Sequence, residues 1–188
     1  RLLSGDVGFG KTEVAMNAML AVILDGYQAI FVCPTTLLAT QHYHSMQKRF
    51  SEFGISIAKL DGKTPAKEKA HIKKGLASGE SKLVIGTHSL LEIQTKDLAL
   101  VIIDEEHKFG VKQKEKLKHL REDVHIFSMS ATPIPRTLNL ALSKLKGMSS
   151  LLTPPTERLG VRTYVKEFSD KLIKEVILSE KRRGGQLF

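Results

Sequence analysis

The residues whose types and spacing could do chemistry begin near the start of the chain, in the segment Gly5-Asp6-Val7-Gly8-Phe9-Gly10-Lys11-Thr12. This segment matches the phosphate-loop pattern G-x-x-x-x-G-K-[S/T] at every fixed position. Glycine lets the backbone curl closely around an anion, and the N–H groups at the start of the following helix attract negative charge. Lys11 can reach the β- and γ-phosphates of a nucleotide, and the Thr12 hydroxyl can bind Mg²⁺. The segment therefore predicts a nucleotide site that includes a magnesium ion.

An acidic pair, Asp104-Glu105, follows the apolar run Leu98–Ile103, which is predicted to be a strand. Hydrolysis of a nucleotide needs one carboxylate in the Mg²⁺ shell and another that polarises the attacking water. Asp104 suits the first role and Glu105 the second. A solvated acidic turn is the common explanation of such a pair in isolation, but a phosphate loop in the same chain favours the catalytic explanation.

Three further strand ends carry hydroxyl groups. Thr35-Thr36 and Thr87-His88 follow two of the predicted strands, and Ser130-Ala131-Thr132 follows a third. Threonine and serine hydroxyls, together with the N–H groups of a helix start, can hold a nucleic-acid backbone without reading its sequence. Ser130 and Thr132 can instead sense the nucleotide state and pass it to a neighbouring lobe. Helix capping explains each of these segments nearly as well when it is taken alone.

The elements that must position these residues alternate between short apolar runs and helical patterns. Strands are predicted at Arg1–Ser4, Gln28–Cys33, Ile55–Leu60, Lys82–Gly86, Leu98–Ile103, Val124–Met129 and Met148–Leu152. Helices are predicted at Lys11–Asp25, Leu37–Phe53, Pro65–Ser78 (with Thr64 as its N-cap), Val111–Leu120 and Pro135–Ser143. Such alternation is typical of an α/β fold, a mostly parallel sheet with helices on both faces, in which ligands bind beyond the carboxyl ends of the strands.

The pattern changes at Thr153-Pro154-Pro155-Thr156, where two prolines disfavour both a helix and a central strand. We therefore expect one domain over residues 1–152, and over residues 153–188 a connector and the start of a second, truncated lobe. In the second segment the sequence predicts a strand at Val161–Lys166 and a helix from about Ser169. Because the chain starts at Arg1 and stops as a new strand begins, we expect it to be a piece of a longer protein.

The composition narrows the class of partner. Among 188 residues, 29 Lys and Arg against 20 Asp and Glu give a net charge of +9, which favours a polyanionic partner such as nucleic acid. The single cysteine, Cys33, excludes a disulfide within the chain. The histidines lack the spacing of a zinc site, and His42 and His44 are predicted to be ordinary surface residues of a helix. No apolar run is long enough to span a membrane and no signal peptide is visible, so we expect a cytoplasmic protein.

The order of the motifs resembles that of the superfamily 2 helicases and translocases. The phosphate loop, Pro34–Leu38, Gly86-Thr87-His88, Asp104-Glu105-Glu106-His107 and Ser130-Ala131-Thr132 follow one another as in that family, over essentially the whole chain. Within the superfamily, the sequence is most similar to the bacterial transcription-repair coupling factors, through Asp104–Val111, Thr132–Asn139 and the connector. The resemblance implies a RecA-like P-loop NTPase fold, with this chain as the first motor lobe and ATP with Mg²⁺ as its ligands.

The same resemblance implies a role for each matched residue. The loop Gly5–Thr12 would hold ATP, and Thr12 and Asp104 would bind Mg²⁺. The catalytic residues would be Glu105, as the base, together with Lys11 and Asp104. The residues that would couple the nucleotide to DNA are His107, Ser130 and Thr132. The residues that would follow one DNA strand are Thr35, Thr36, Thr87 and His88.

The resemblance further implies an ATP-dependent translocase on double-stranded DNA that displaces stalled RNA polymerase in transcription-coupled DNA repair. RNA polymerase and the nucleotide-excision-repair proteins would be contacted by domains outside this chain. Two alternatives stay open: a branch-migrating, fork-remodelling DNA helicase of the RecG type, and a nucleotide-binding switch module without productive turnover. Since the family's arginine finger comes from the second lobe, we expect the isolated chain to be weakly active or inactive.

Overall fold

The structure, a computed structural model, describes residues 1–120, 124–131, 147–156 and 163–187. Its strands are β1 (Leu2–Gly5), β2 (Gln28–Val32), β3 (Ile57–Leu60), β4 (Leu83–Gly86), β5 (Leu98–Asp104), β6 (His125–Ser130) and β7 (Met148–Leu151). They form one sheet of seven strands in the order β3-β4-β2-β5-β6-β1-β7, and every neighbouring pair is parallel. The predicted fold class is confirmed, and the seven strands predicted within residues 1–152 lie at the observed positions to within two residues at each end.

The helices of the first domain are α1 (Lys11–Leu24), α2 (Thr36–Ser51), α3 (Ala66–Ser78) and α4 (Val111–Leu120), with two short 3-10 helices at His88–Glu92 and Glu106–Lys108. These four helices confirm their predictions, whereas the helix predicted at Pro135–Ser143 lies outside the described residues. The predicted N-cap of α3 is wrong, because Pro65 and not Thr64 occupies the cap position. The Thr64 hydroxyl instead accepts a hydrogen bond from the Asp61 N–H at 2.9 Å, which closes the turn after β3.

Apolar side chains pack on both faces of the sheet. One cluster joins Phe31 and Ile102 to α1 and α2, and the other joins Ile30 and Val101 to α3 and α4. All five residues of β2 are buried, because this strand has a neighbour on each side and helices on each face. A strand that is buried on both faces has a continuous run of apolar residues instead of alternating apolar and polar residues. This is why the sequence predicts β2 and β5.

The chain divides into two compact units, Arg1–Thr156 and Glu157–Phe188. In the second, the predicted helix from about Ser169 is confirmed as Asp170–Arg182, with Ser169 at the N-cap position. The predicted strand Val161–Lys166 is wrong for residues 163–166, which have no regular secondary structure, and its first two residues lie outside the described ones. A strand needs a partner for its backbone groups, and the described part of this unit contains no other strand. The roles of the two domains stay a prediction.

Candidate nucleotide-binding and hydrolysis site

The predicted site residues that the structure describes lie at one edge of the sheet, where the strands have their carboxyl ends. β1 and β5 are the two neighbours of β6, and the register pairs Ser4 with Ser130 and Asp104 with Met129. Neighbouring strands lie about 4.8 Å apart, so the ends of β1 and β5 are separated by about 10 Å. This separation suits a nucleoside triphosphate with its magnesium ion.

The phosphate loop connects the end of β1 to the start of α1. Gly8 and Gly10 have φ angles of 78° and 88°, a region that side chains disfavour. The Lys11 ammonium donates hydrogen bonds to the carbonyl oxygens of Gly5 (2.7 Å) and Asp6 (2.9 Å). Its positive charge is therefore already held inside the loop, at the N-terminus of α1, where both the charge and the helix favour an anion.

Gly5 is tightly packed for a reason that the motif does not show. Its φ lies outside the left-handed region, but a Cβ atom built on it would lie 3.0 Å from Leu151 Cβ and 3.3 Å from the Leu151 carbonyl oxygen. The neighbouring strand β7, and not the phosphate alone, therefore leaves little room for a side chain at the start of the loop.

Asp104 ends β5, and its partner is a residue that the sequence analysis assigned to the surface. His42 Nε2 lies 3.3 Å from Asp104 Oδ2, and the two side chains are only 16% and 13% exposed. The His42 ring also packs on Phe31, with 4.9 Å between ring centroids. The surface prediction for His42 is therefore wrong. The helical spacing of its neighbours could have corrected it, because position 42 lies on the same face of α2 as the buried Ala39 and Met46.

Glu105 is the one non-glycine residue among the described ones with a left-handed backbone, with φ 51° and ψ 54°. Such a conformation costs on the order of 1 kcal/mol, and turns the chain sharply at the end of β5. The turn brings the carboxylate to the end of β6, where Oε1 accepts a hydrogen bond from the Ala131 N–H at 3.2 Å. The Ser130 hydroxyl lies 3.5 Å from Oε2. The predicted base and the predicted coupling residue Ser130 are thus brought together.

His107 lies beside the same carboxylate. Its Nδ1 is 3.1 Å from Glu105 Oε2, but the alignment is not that of a hydrogen bond, and within the described residues this buried atom has no hydrogen-bond partner. A buried nitrogen without a partner is unfavourable unless another state of the site supplies one. A movement or a change in charge of the Glu105 carboxylate would therefore act directly on the His107 ring. Thr132, the third predicted coupling residue, lies outside the described residues.

Ser128 is a site residue that the sequence analysis missed. It is fully buried in β6, and its hydroxyl donates a hydrogen bond to Glu106 Oε2. Ser128 and Ser130 point to the same side of the strand, since side chains alternate along it. The two hydroxyls contact the two successive glutamates, Glu106 and Glu105. Polar residues at alternate positions of an otherwise apolar strand were the signal available in the sequence.

The four predicted DNA contacts differ in exposure. Thr35 and His88 are exposed, Thr36 is half-buried, and Thr87 is buried. The Thr35 hydroxyl accepts a hydrogen bond from the Leu38 N–H at 3.3 Å, so it caps α2. Capping and a contact with a phosphate are both available to Thr35, as the sequence indicated.

Gly86 explains why the Gly86-Thr87-His88 segment begins with glycine. A Cβ atom there would lie 1.9 Å from the Leu60 carbonyl oxygen and 3.0 Å from Leu90 Cδ1. Only glycine lets β3 and β4 pair this closely where β4 ends.

Asp61 and Cys33 are buried groups near this edge that have structural explanations. Burial alone would raise the pKa of the Asp61 carboxyl, but hydrogen bonds from the Lys59 side chain and the Lys63 N–H hold that pKa below its ordinary value. The Lys59 ammonium also donates to the Thr40 hydroxyl at 3.1 Å, which ties α2 to β3. Burial, and then the charge of Asp104, raise the pKa of the Cys33 thiol, so Cys33 is not a nucleophile at neutral pH.

The residues present fit a nucleotide with Mg²⁺. The loop combines glycine conformations, a held ammonium and a helix N-terminus, which together suit phosphates. The Thr12 hydroxyl and the Asp104 carboxylate supply oxygen atoms, the ligands that Mg²⁺ prefers. The sequence profile of the DEAD/DEAH box helicases matches residues 2–141. The chain belongs to the DEAD/DEAH box helicase family.

Several relatives of this DEAD/DEAH box chain match it over its whole length. A transcription-repair-coupling factor of Helicobacter pylori (strain J99) is 56% identical over 188 residues, which are all of this chain and 19% of that protein. The transcription-repair-coupling factor of Escherichia coli (strain K12) is 46% identical over 190 aligned positions, which cover 17% of that protein. The chain thus spans about a fifth of the length of the curated relatives it matches.

Among solved structures, that of RecG bound to a three-way DNA junction aligns with a TM-score of 0.81 and 41% identity. The alignment covers 99% of this chain and 25% of the RecG chain. The predicted RecA-like fold and the predicted family resemblance are both confirmed. In the part of the chain that the structure describes, no helix combines the length and apolar character that crossing a membrane requires.

Proposed function

We propose that this chain is the first motor lobe of an ATP-dependent translocase on double-stranded DNA that displaces stalled RNA polymerase in transcription-coupled DNA repair. Membership of the helicase family supports the ATP-dependent motor. The 56% identity to a transcription-repair-coupling factor over the entire chain supports the specific biological role. The protein would act in the cytoplasm, where bacterial DNA and RNA polymerase are found.

One observation carries the proposal that the lobe hydrolyses ATP and does not merely bind it. Glu105 has a left-handed backbone, and its carboxylate accepts a hydrogen bond from the Ala131 N–H. It lies on the same edge of the sheet as the phosphate loop. A switch that only binds nucleotide has no need of a carboxylate positioned beyond the one that serves the metal ion. The strain at Glu105 fits a residue that takes part in the reaction.

The residues suggest the following division of work. Lys11 binds the β- and γ-phosphate oxygens, and backbone N–H groups of the loop neutralise further charge. Mg²⁺, held by Thr12 and through water by Asp104, would offset charge on the β- and γ-phosphates. Glu105 orients a water molecule and accepts its proton as the water oxygen bonds to the γ-phosphorus and the bond to the β-phosphate oxygen breaks. Ser130 and His107, which lie against Glu105, would pass the change to the DNA-binding residues.

A second candidate function is a branch-migrating, fork-remodelling helicase of the RecG type. The TM-score of 0.81 to a RecG chain that was solved on a three-way junction favours it. Both functions use the same ATP site and duplex DNA, so they are separated by the preferred DNA structure and by RNA polymerase. In the first function, RNA polymerase and repair proteins would bind elsewhere in the full-length protein.

The test uses the full-length protein with RNA polymerase stalled on duplex DNA. Wild-type protein is expected to release the polymerase when ATP is added, and Glu105→Gln protein is expected to bind ATP without releasing it. Glu68→Gln is a matched control, because Glu68 is an exposed glutamate on α3.

Two results would contradict the proposal in different ways. ATP hydrolysis that is stimulated by branched DNA, without release of polymerase, would move the assignment to the RecG type. Undiminished release by Glu105→Gln protein would remove Glu105 from the role of base.

A further inference from the structure

His42 is a largely buried imidazole that the proposed mechanism does not use. It lies on α2, between the Phe31 ring and the Asp104 carboxylate. Its Nε2 is 3.3 Å from Asp104 Oδ2, within reach of a hydrogen bond when Nε2 carries the proton. His44, two residues further along α2, is exposed instead.

Packing on Phe31 does not by itself explain a histidine here. A phenylalanine or leucine would fill the same place on the Phe31 ring without placing a polar nitrogen in a largely buried position. That placement is unfavourable unless the nitrogen is hydrogen-bonded. The Asp104 carboxylate needs a fixed orientation, because an aspartate at the end of a strand can rotate about both of its side-chain bonds. A single donor at Oδ2 selects one orientation.

We propose that His42 is a positioning residue for Asp104. Its Nε2–H donates to Oδ2 and holds the carboxylate in the orientation that binds the hydration shell of Mg²⁺. This inference rests on the proposed nucleotide site. Loss of a partner that orients a metal ligand reduces metal affinity by about 10-fold to 100-fold, and the effect through a water molecule belongs at the lower end, about 10-fold.

Three substitutions separate the donor from the packing. His42→Gln places an amide N–H at the reach of Nε2 but loses the aromatic contact with Phe31. His42→Phe keeps the aromatic contact and removes the donor. His42→Asn has a donor that is too short to reach Asp104. His44→Gln is the matched control on the same helix, because His44 is exposed.

The measurement is the Mg²⁺ concentration that gives half-maximal binding of a fluorescent ATP analogue to the full-length protein, with thermal unfolding recorded for every variant. His42→Phe and His42→Asn are expected to raise this concentration about 10-fold. His42→Gln and His44→Gln are expected to leave it near the wild-type value. If His42→Phe behaves as wild type while His42→Gln does not, packing explains His42 and the inference is overturned.

Asp104→Asn separates failure of this inference from failure of the proposed site. If Asp104→Asn raises the half-maximal Mg²⁺ concentration while His42→Phe leaves it at the wild-type value, only the role of His42 is overturned. If Asp104→Asn leaves the Mg²⁺ dependence unchanged, Asp104 is not the metal ligand, and the proposed magnesium site fails together with the inference.

Discussion

Gln28 at the amino edge of the sheet and the turn Glu105–His107 at the carboxyl edge differ in how completely their polar groups are hydrogen-bonded. At the amino edge, Gln28 begins β2, is fully buried and uses its whole hydrogen-bonding capacity. Its Nε2 donates to the carbonyl oxygens of Leu76 (3.0 Å) and Ser81 (2.8 Å). Its Oε1 accepts from the N–H groups of Lys96 (3.1 Å) and Asp97 (2.9 Å).

At the carboxyl edge, two residues of the turn after β5 are strained or incompletely hydrogen-bonded. Glu105 has a left-handed backbone, and His107 Nδ1 is buried without a hydrogen bond to any residue that the structure describes. A satisfied group stabilises one arrangement, whereas a strained or unsatisfied group leaves room for a second arrangement of similar energy. Gln28 therefore stabilises one arrangement of the amino edge, whereas the proposed reaction and change of state belong to the carboxyl edge.

The largest expected effects come from the carboxyl edge and concern turnover. Glu105→Gln keeps an oxygen that can accept from Ala131 but cannot take a proton, so ATP hydrolysis by the full-length protein should fall by at least about 100-fold. Lys11→Ala should lower hydrolysis as strongly and also weaken binding of a fluorescent ATP analogue about 10-fold or more, because a charge-assisted hydrogen bond is lost. Equal binding by both variants would contradict the separate roles given to the two residues.

Next in size is an effect on stability, which tests whether one part of the carboxyl edge is tightly packed. Gly86→Ala would place a Cβ atom 1.9 Å from the Leu60 carbonyl oxygen, so β3 and β4 must separate. The local free energy of unfolding should fall by about 3 kcal/mol. Hydrogen exchange of the β4 amides measures it. Gly62→Ala is the control, since a Cβ there has no heavy atom within 4 Å, and equal exchange in the two variants would refute the argument.

The amino edge should respond to Gln28→Leu in stability alone. The Asp97 N–H and the Ser81 carbonyl would lose their partner, while the Lys96 N–H keeps its 3.2 Å bond to Leu76. The free energy of unfolding from exchange of the β2 amides should fall by about 2 kcal/mol. Hydrolysis per folded molecule should stay at the wild-type rate, as in the exposed control Gln41→Leu. A large loss of hydrolysis without a loss of stability would break the contrast between the edges.

The smallest effect concerns Thr35, whose hydroxyl caps α2. Thr35→Ala should lower the stability of the first turn of α2 by about 1 kcal/mol, and Thr35→Ser should restore it. DNA affinity measured on the same variants sharpens the interpretation. If Thr35→Ala weakens DNA binding while hydrogen exchange of the α2 amides is unchanged, the hydroxyl contacts the phosphate backbone and its role as a cap is secondary.

The sequence alone determined the described elements of this lobe and predicted the chemistry of its main motifs. Apolar runs such as β2 and β5 are readable because strands buried on both faces need no polar side, and the phosphate loop is readable because its glycines and Lys11 are adjacent in the chain. The Asp104-Glu105 pair belongs to the same class, since it follows its strand directly. A short sequence motif is enough to predict a site when its residues are adjacent in the chain.

Only the tertiary structure decided which residues support those motifs. His42 lies far along the chain from Asp104, and Ser128 reaches Glu106 only because β6 pairs with β5 in one register. Gly86 is fixed by the approach of Leu60 from the neighbouring strand, and Gly5 is tightly packed against Leu151 of β7. These contacts depend on strand order and register, which arise from packing the whole sheet and which no short segment of the sequence encodes.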